Sequence, residues 1–473
     1  MTSKRSATTF GHDLLGAFRC AAPVLLVGFV AFCVLVPVST SMVNAVSIFN
    51  INYTHDQLKY QFYAQALGPV VDAACVAFGA ALGITLFRFV LQKRSTTAYF
   101  SLAVARRDLY LSRALVGIAG IVGVIGIPFA ISLMLNNAAL GIYEGELVAF
   151  AYVVLGYAVT ALVAFAASSI ATIFAGTLFE AIVFTAVLLC GVSVALWGIG
   201  VVSEFLLVGN AMGVTFYDQD VTVAPSLLES FSWLNPVAFF LNEGAGKQFF
   251  QAMDPVYYPE PGTWQLVGGW FAVYVALSFG GAAALTRRPG ERAEMAGMSP
   301  VLSFAAVCVI GFAVVATVVM ALGSVDIAVA LAAAFALFVL VSLALLAGPF
   351  RGRASRRVVA AAVASELVIM AAAVATITTG GLGFTDYIPQ VEDVESVDVS
   401  YDGSPSYLTC NFSGVSGGTS YYFTSMRSYS NASTIKSIRS IHRQLIASAR
   451  DAWATDSSEF DRTVVPYDIT ITY

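Results

Sequence analysis

Hydrophobic positions in this chain come in long unbroken blocks instead of alternating with polar ones. Nine blocks of about 20 residues can be placed, near 21–43, 66–90, 114–135, 147–170, 178–201, 264–285, 301–322, 327–348 and 358–378. That length is what a hydrocarbon core of about 30 Å demands of a helix, so each block predicts a transmembrane helix. The first block is long and lacks a small-residue cleavage site, so it reads as a span and not as a signal peptide. Before it, Phe10, Leu14, Leu15 and Phe18 share one helical face, which predicts a short helix lying at the membrane interface.

The connectors differ from one another. Spans four and five are joined by a tight, almost uncharged turn and form a hairpin. Between spans two and three, residues 92–113 read QKRSTTAYFSLAVARRDLYLSR, with Phe100, Leu102, Val104 and Leu109 set among cations. The acidic, aromatic-rich segment near 203–262 has apolar runs too short to span, so it is expected at the outer interface. From Thr379 the pattern changes. Val394, Val397, Val399 and Tyr401 approximate alternation, Tyr421 to Phe423 is strand-like, and Ile469, Ile471 and Tyr473 alternate. Between them Ile435, Ile438, Ile441, Leu445, Ala449 and Trp453 recur at helical spacing behind Ser430 and Asn431, candidate caps. The expected fold is an all-α polytopic membrane protein with a small C-terminal α+β domain, and the chain stops inside an apparent strand, leaving room for a longer natural domain.

Composition agrees: 58% of the 473 residues are hydrophobic and 11% charged, against about a quarter charged in a soluble domain. Mean hydropathy is +0.80. Charge then orients the chain, because cationic loops stay on the cytoplasmic side. With the N-terminus inside, the inner segments hold Lys4, Arg5 and Arg19; Arg88, Lys93, Arg94, Arg106, Arg107 and Arg113; Arg287, Arg288 and Arg292; and Arg351, Arg353, Arg356 and Arg357. The short outer loops hold only Lys59 and Lys247. Nine spans then place the acidic tail outside, so the net charge of −5 gives no reason to expect nucleic acid.

Site chemistry is sparse. The chain has no G-x-x-x-x-G-K-[ST] loop; the nearest string, EGAGK at 243–247, lies on the predicted outer side. No nucleotide site, cofactor or metal is expected, and the chain is not read as an enzyme. His12, His55 and His442 are far apart, and the six cysteines suggest small buried residues with no disulfide framework. Of the carboxylates near spans, Glu180, Glu204 and Asp326 fall at ends where water or headgroups can solvate them. Asp72 lies within two turns of an end, and Glu366 is the one well inside a span. N-x-[ST] triplets at Asn52, Asn411 and Asn431 fall outside, and no glycosylation is assigned to them.

Two stretches carry a resemblance. SLAVARRDLYLSRALVG, residues 101–117, resembles the "SLP-x-x-R-x-x-L-(F/Y)-x-S-R-x-(L/V)-x-G" stretch of type-2 ATP-binding-cassette exporter permeases, with Ala103 where the family has proline. RAEMAGMSPVLSF, residues 292–304, resembles "R-x-x-E-x-AG-x-x-x-x-F" of larger Gram-positive members, and IKSIRSIHRQLI, residues 435–446, looks like their tail. The resemblance implies a six-helix permease over 1–290 with an N-terminal elbow helix, three additional helices over 291–379, and an extracytoplasmic α+β domain over 380–473. It also implies a coupling helix within 92–113 where a separate ATPase docks, with Arg106, Arg107, Asp108 and Arg113 as contacts. The bland alternative for these arginines is topology determination and lipid-phosphate contact. The implied partners are the ATPase, a second permease copy or a sister permease, and the bilayer. The rival from another class is a membrane-anchored sensor or envelope assembly factor that moves no substrate; a secondary transporter ranks third, since no internal repeat is detected.

Overall fold

In a computed structural model the chain is described over residues 2–38, 68–101, 104–140, 144–206, 261–290, 300–322, 327–347, 397–402, 425–454 and 468–472, with isolated positions between them. Most of the aromatic segment before span six, Cys410 and Asn411 lie outside these residues. The chain clusters into two compact units, one of 1–198, 228–317 and 332–366, the other of 199–227, 318–331 and 367–473.

The elements of the first part are helices α1 (Thr2–Cys33), α2 (Gly68–Phe87), α3 (Lys93–Phe100), α4 (Arg106–Leu140), α5 (Glu144–Phe174), α6 (Leu178–Leu206), α7 (Pro261–Arg287), α8 (Pro300–Leu322) and α9 (Ile327–Ala347). Seven helices among the described residues are long and apolar enough to cross a membrane: Gly11–Val38, Val70–Val90, Arg106–Leu135, Val154–Phe174, Leu178–Val201, Val267–Arg287 and Pro300–Ala321. These correspond to the first seven expected spans. The eighth coincides with α9, whose described apolar portion is Ala332–Ala344. Only scattered residues of the ninth are described.

The N-terminus departs from expectation. Thr2–Cys33 is one uninterrupted helix, with no break between the segment read as an interfacial elbow and the first span. Pro23 sits inside it, where the lost N–H is tolerated as it is in membrane helices generally. Leu15 and Phe18 remain exposed, while Ala17 and Ala21 are buried.

Helix α5 is the axis of the first unit, packing against α2, α4 and α7, while α1 packs on α4 and α2. Small residues allow this. A Cβ on Gly79 would lie 2.2 Å from the Ala161 carbonyl oxygen, and one on Gly83 would lie 2.0 Å from Ser168 Oγ and 2.7 Å from the Phe165 carbonyl oxygen. Facing them, Ala161, Ala164 and Ala167 are buried, the close backbone approach that drives helix association in lipid. The hydroxyls here turn back on their own helix: Ser168 and Ser169 donate to the Phe165 carbonyl at 2.9 and 2.7 Å, and Thr172 to that of Ser168 at 2.7 Å. These three hydroxyls are thereby satisfied within α5 itself.

In the second unit, strands β1 (Val397–Asp402), β2 (Ser425–Tyr429) and β3 (Asp468–Thr472) form an antiparallel sheet in the order β2-β1-β3, with Val399 opposite Arg427 and Ile471. Helix α10 (Ala432–Ala454) follows β2. Asn431 is its N-cap: its Oδ1 accepts from the Ser433 backbone N–H and hydroxyl, both at 3.0 Å.

Candidate functional site

The ends of α2, α4, α5, α6 and α7 meet around the basic loop, and a set of buried polar side chains ties them together. Helix α2 tightens into a 3-10 turn at Arg88–Val90, and α3 then begins at Lys93 with Gln92 as its N-cap. Thr96 is buried beneath it and donates to the carbonyls of Phe89 and Gln92, both at 2.9 Å. Ring contact between Phe89 and Tyr99, 4.8 Å between centroids, folds α3 back on the turn.

Arg113 reaches into this fold. Its guanidinium lies 4.2 Å from the Phe89 ring and 5.0 Å from that of Tyr99, a favourable placement of a cation on aromatic faces. It also donates to Asp13 Oδ2 at 3.2 Å and to the Leu109 carbonyl at 2.9 Å. Ser112 donates its hydroxyl to the same carboxylate oxygen. Arg113 is 3% exposed and Asp13 10%, so the pair joins α1 to α4 in a largely dry setting.

Arg106, two turns away on the same face of α4, lies 4.1 Å over the Phe100 ring and donates to the carbonyls of Thr286 and Arg288 at 3.2 and 2.7 Å. Arg288 is buried and donates to three carbonyls at helix ends: Val90 at 2.9 Å, Ala175 at 2.9 Å and Thr172 at 3.3 Å. A cation there satisfies acceptors that a helix C-terminus leaves open and opposes its negative dipole end.

Two carboxylates complete the frame. Glu180 is fully buried and accepts from the backbone N–H groups of Gly176 and Thr177 at 2.8 and 3.3 Å, while its own N–H donates to Thr177 Oγ1 at 3.2 Å. That is a reciprocal capping box at the start of α6, a local structural role in place of solvation at a span end. Glu294 accepts from the Lys93 N–H at 3.1 Å and donates its own N–H to the Gly176 carbonyl at 3.0 Å. Its φ of 65° is unusual for a residue with a side chain. The backbone comes so close that a Cβ on Gly176 would lie 1.6 Å from the Met295 carbonyl oxygen, so position 176 requires glycine.

The four residues expected at a docking surface therefore separate into two pairs. Arg106 and Arg113 turn inward and hold the loop in place; Arg113 has almost no surface to offer a partner. Arg107 and Asp108 are exposed, as are Lys93, Arg94, Thr97 and Ala98 of α3. Sequence reasoning missed Asp13, Glu180, Arg288 and Glu294 as parts of this frame. The T-x-x-E string at 177–180 was a legible signal for Glu180, and Glu294 stood in the quoted 292–304 stretch. Arg288 carried no signal, because its partners are backbone carbonyls far away in sequence.

No protein-family model, curated protein or solved structure matches the chain. The class that the fold itself defines is a mostly helical protein with seven apolar helices of membrane-spanning length among the described residues.

Proposed function

We propose that this chain is the membrane-spanning permease subunit of an ATP-binding-cassette transporter, an exporter driven by a separate ATPase subunit. In this reading nine helices span the cell membrane, the N-terminus is cytoplasmic, and the tail beyond 380 lies outside. Six helices enclose half a pathway, so the unit works as a dimer with itself or with a sister permease. The observation that carries the proposal is the short helix α3, which is braced from beneath by Thr96, Tyr99, Arg113 and Glu294 while its outer face shows Lys93, Arg94, Thr97 and Ala98. A rigid cationic element joined to the ends of several long helices is what a mechanical connection to a nucleotide-driven partner requires. Arg107 and Asp108 extend that face; Arg106 and Arg113 position it.

The test is charge reversal of the outer face alone. With its cognate ATPase co-expressed, the Arg94→Glu, Arg107→Glu double variant should insert and fold but lose ATPase association, since like charge at a desolvated contact costs roughly 2–5 kcal/mol. Unchanged association and unchanged transport would remove this face from the interface and favour the membrane-anchored sensor.

A further inference from the structure

We propose that the cleft between the C-terminal ends of α5 and α7 binds one anionic phospholipid, with its phosphate on Arg287 and an acyl chain along α7. The cleft encloses about 330 Å³ and is lined by Ile173, Phe174, Gly280, Ala283, Ala284, Arg287 and Arg288. Gly280, Ala283 or Ala284, and Arg287 recur at the spacing that keeps residues on one helix face. At 1.5 Å per residue the run from Gly280 to Arg287 is about 10 Å long. Nothing comes within 4 Å of where a Gly280 Cβ would stand, and Gly280 and Ala283 are exposed. A shallow, smooth track thus runs beside the half-exposed Phe174 and ends at a guanidinium.

The charge selects the occupant. Arg288 forms the cleft floor with its guanidinium donating to helix-end carbonyls, so its charge is present while those hydrogens are engaged. Arg287 is exposed in the last turn of α7 and is free to reach a phosphate oxygen. An apolar track ending at two cations fits an acyl chain with a phosphodiester headgroup. A second helix packed on the small-residue face would have no use for Arg287, and a free phosphate would leave the track empty. Basic pockets between helices at the inner membrane surface are the usual form of headgroup sites. The inference is independent of the transporter reading and rests on membrane placement alone.

Native mass spectrometry of the purified full chain tests it, with dioleoyl phosphatidylglycerol and dioleoyl phosphatidylcholine added at equal concentration. One phosphatidylglycerol should be retained in preference to phosphatidylcholine. Arg287→Gln should weaken that retention about fivefold, the effect of one cation at a membrane surface, and Arg287→Lys should largely keep it. Ala283→Phe, which fills the track, should also weaken it, while inorganic phosphate should not compete at equal concentration. Equal retention of both lipids, wild-type retention by Arg287→Gln, or competition by inorganic phosphate overturns the proposal. So does an Ala283→Phe variant that becomes monomeric with lipid retention intact, since that marks the face as a contact between copies.

Discussion

Replacing Arg113 by methionine separates its internal role from a partner-facing one. Methionine keeps a long apolar stem over Phe89 and Tyr99 but removes the charge and every donor. Asp13, 10% exposed, then loses its cation, and the two rings lose theirs. Breaking a buried pair from one side costs about 3–5 kcal/mol, and each cation–aromatic contact adds about 0.5–2 kcal/mol. The Ser112 hydroxyl still serves Asp13 and water reaches its rim, so the low end applies: about 3 kcal/mol, roughly a hundredfold in the folding equilibrium. Adding Asp13→Asn removes the stranded charge, and the double variant should recover at least ~1 kcal/mol relative to the sum of the singles. The exposed Arg107→Met should change stability by no more than ~0.5 kcal/mol. Unfolding of the purified chain in mixed micelles, titrated with dodecyl sulfate and followed by tryptophan fluorescence, measures all four. If Arg113→Met matches Arg107→Met, or if the double variant is simply additive, the buried pair does not hold α1 to α4.

Three further outcomes follow from other parts of the molecule. Glu180→Ala removes a fully buried carboxylate and strands the N–H groups of Gly176 and Thr177, and should lower stability by about 2–3 kcal/mol in the same titration, with Glu180→Gln in between. Gly83→Val forces α2 away from α5, because even a Cβ meets Ser168 and Phe165. Folded yield judged by size-exclusion chromatography should collapse, whereas Gly126→Val, with nothing within 4 Å, should purify normally. Burial lowers the pKa of His442 below its ordinary 6.5, so the folded form binds fewer protons than the unfolded one between the two values. The stability it contributes to α10 is present above about 6.5 and lost as pH falls through that range. Protection factors over residues 432–444, which remove the pH dependence of intrinsic exchange, should fall between pH 7.5 and 5.5 in wild type beyond the change seen in His442→Gln; equal changes would contradict this.

The apolar helices were legible because each block alone fills a bilayer's width, so seven of the expected spans appear as helices of that length among the described residues. The braced loop was only half legible. Helical spacing already sets Arg106, Leu109, Tyr110 and Arg113 on one side of α4 and Arg107, Asp108 and Leu111 on the other, yet four polar residues in one basic stretch looked equivalent until their partners were known. Those partners are remote: Asp13 lies a hundred residues from Arg113, and Arg288 bonds carbonyls, which leave no mark on residue identity. The expectation of a short interfacial helix hid the role of Asp13, because a stripe of Phe10, Leu14, Leu15 and Phe18 does not reveal that the helix continues unbroken to Cys33. The T-x-x-E capping string was overlooked because an acid at a span end already had an explanation in solvation.

The central claim, that this chain couples a separate ATPase to a membrane pathway, is tested most directly by purifying it from its native membrane in mild detergent and measuring ATP hydrolysis. The account predicts that a subunit carrying a phosphate-binding loop co-purifies in fixed stoichiometry. Its hydrolysis should be altered by the permease and uncoupled by the Arg94→Glu, Arg107→Glu double variant, while Arg113→Met destabilises the chain itself. A chain that purifies without any such subunit after cross-linking in the membrane, or an ATPase whose rate is indifferent to the chain, would contradict the account.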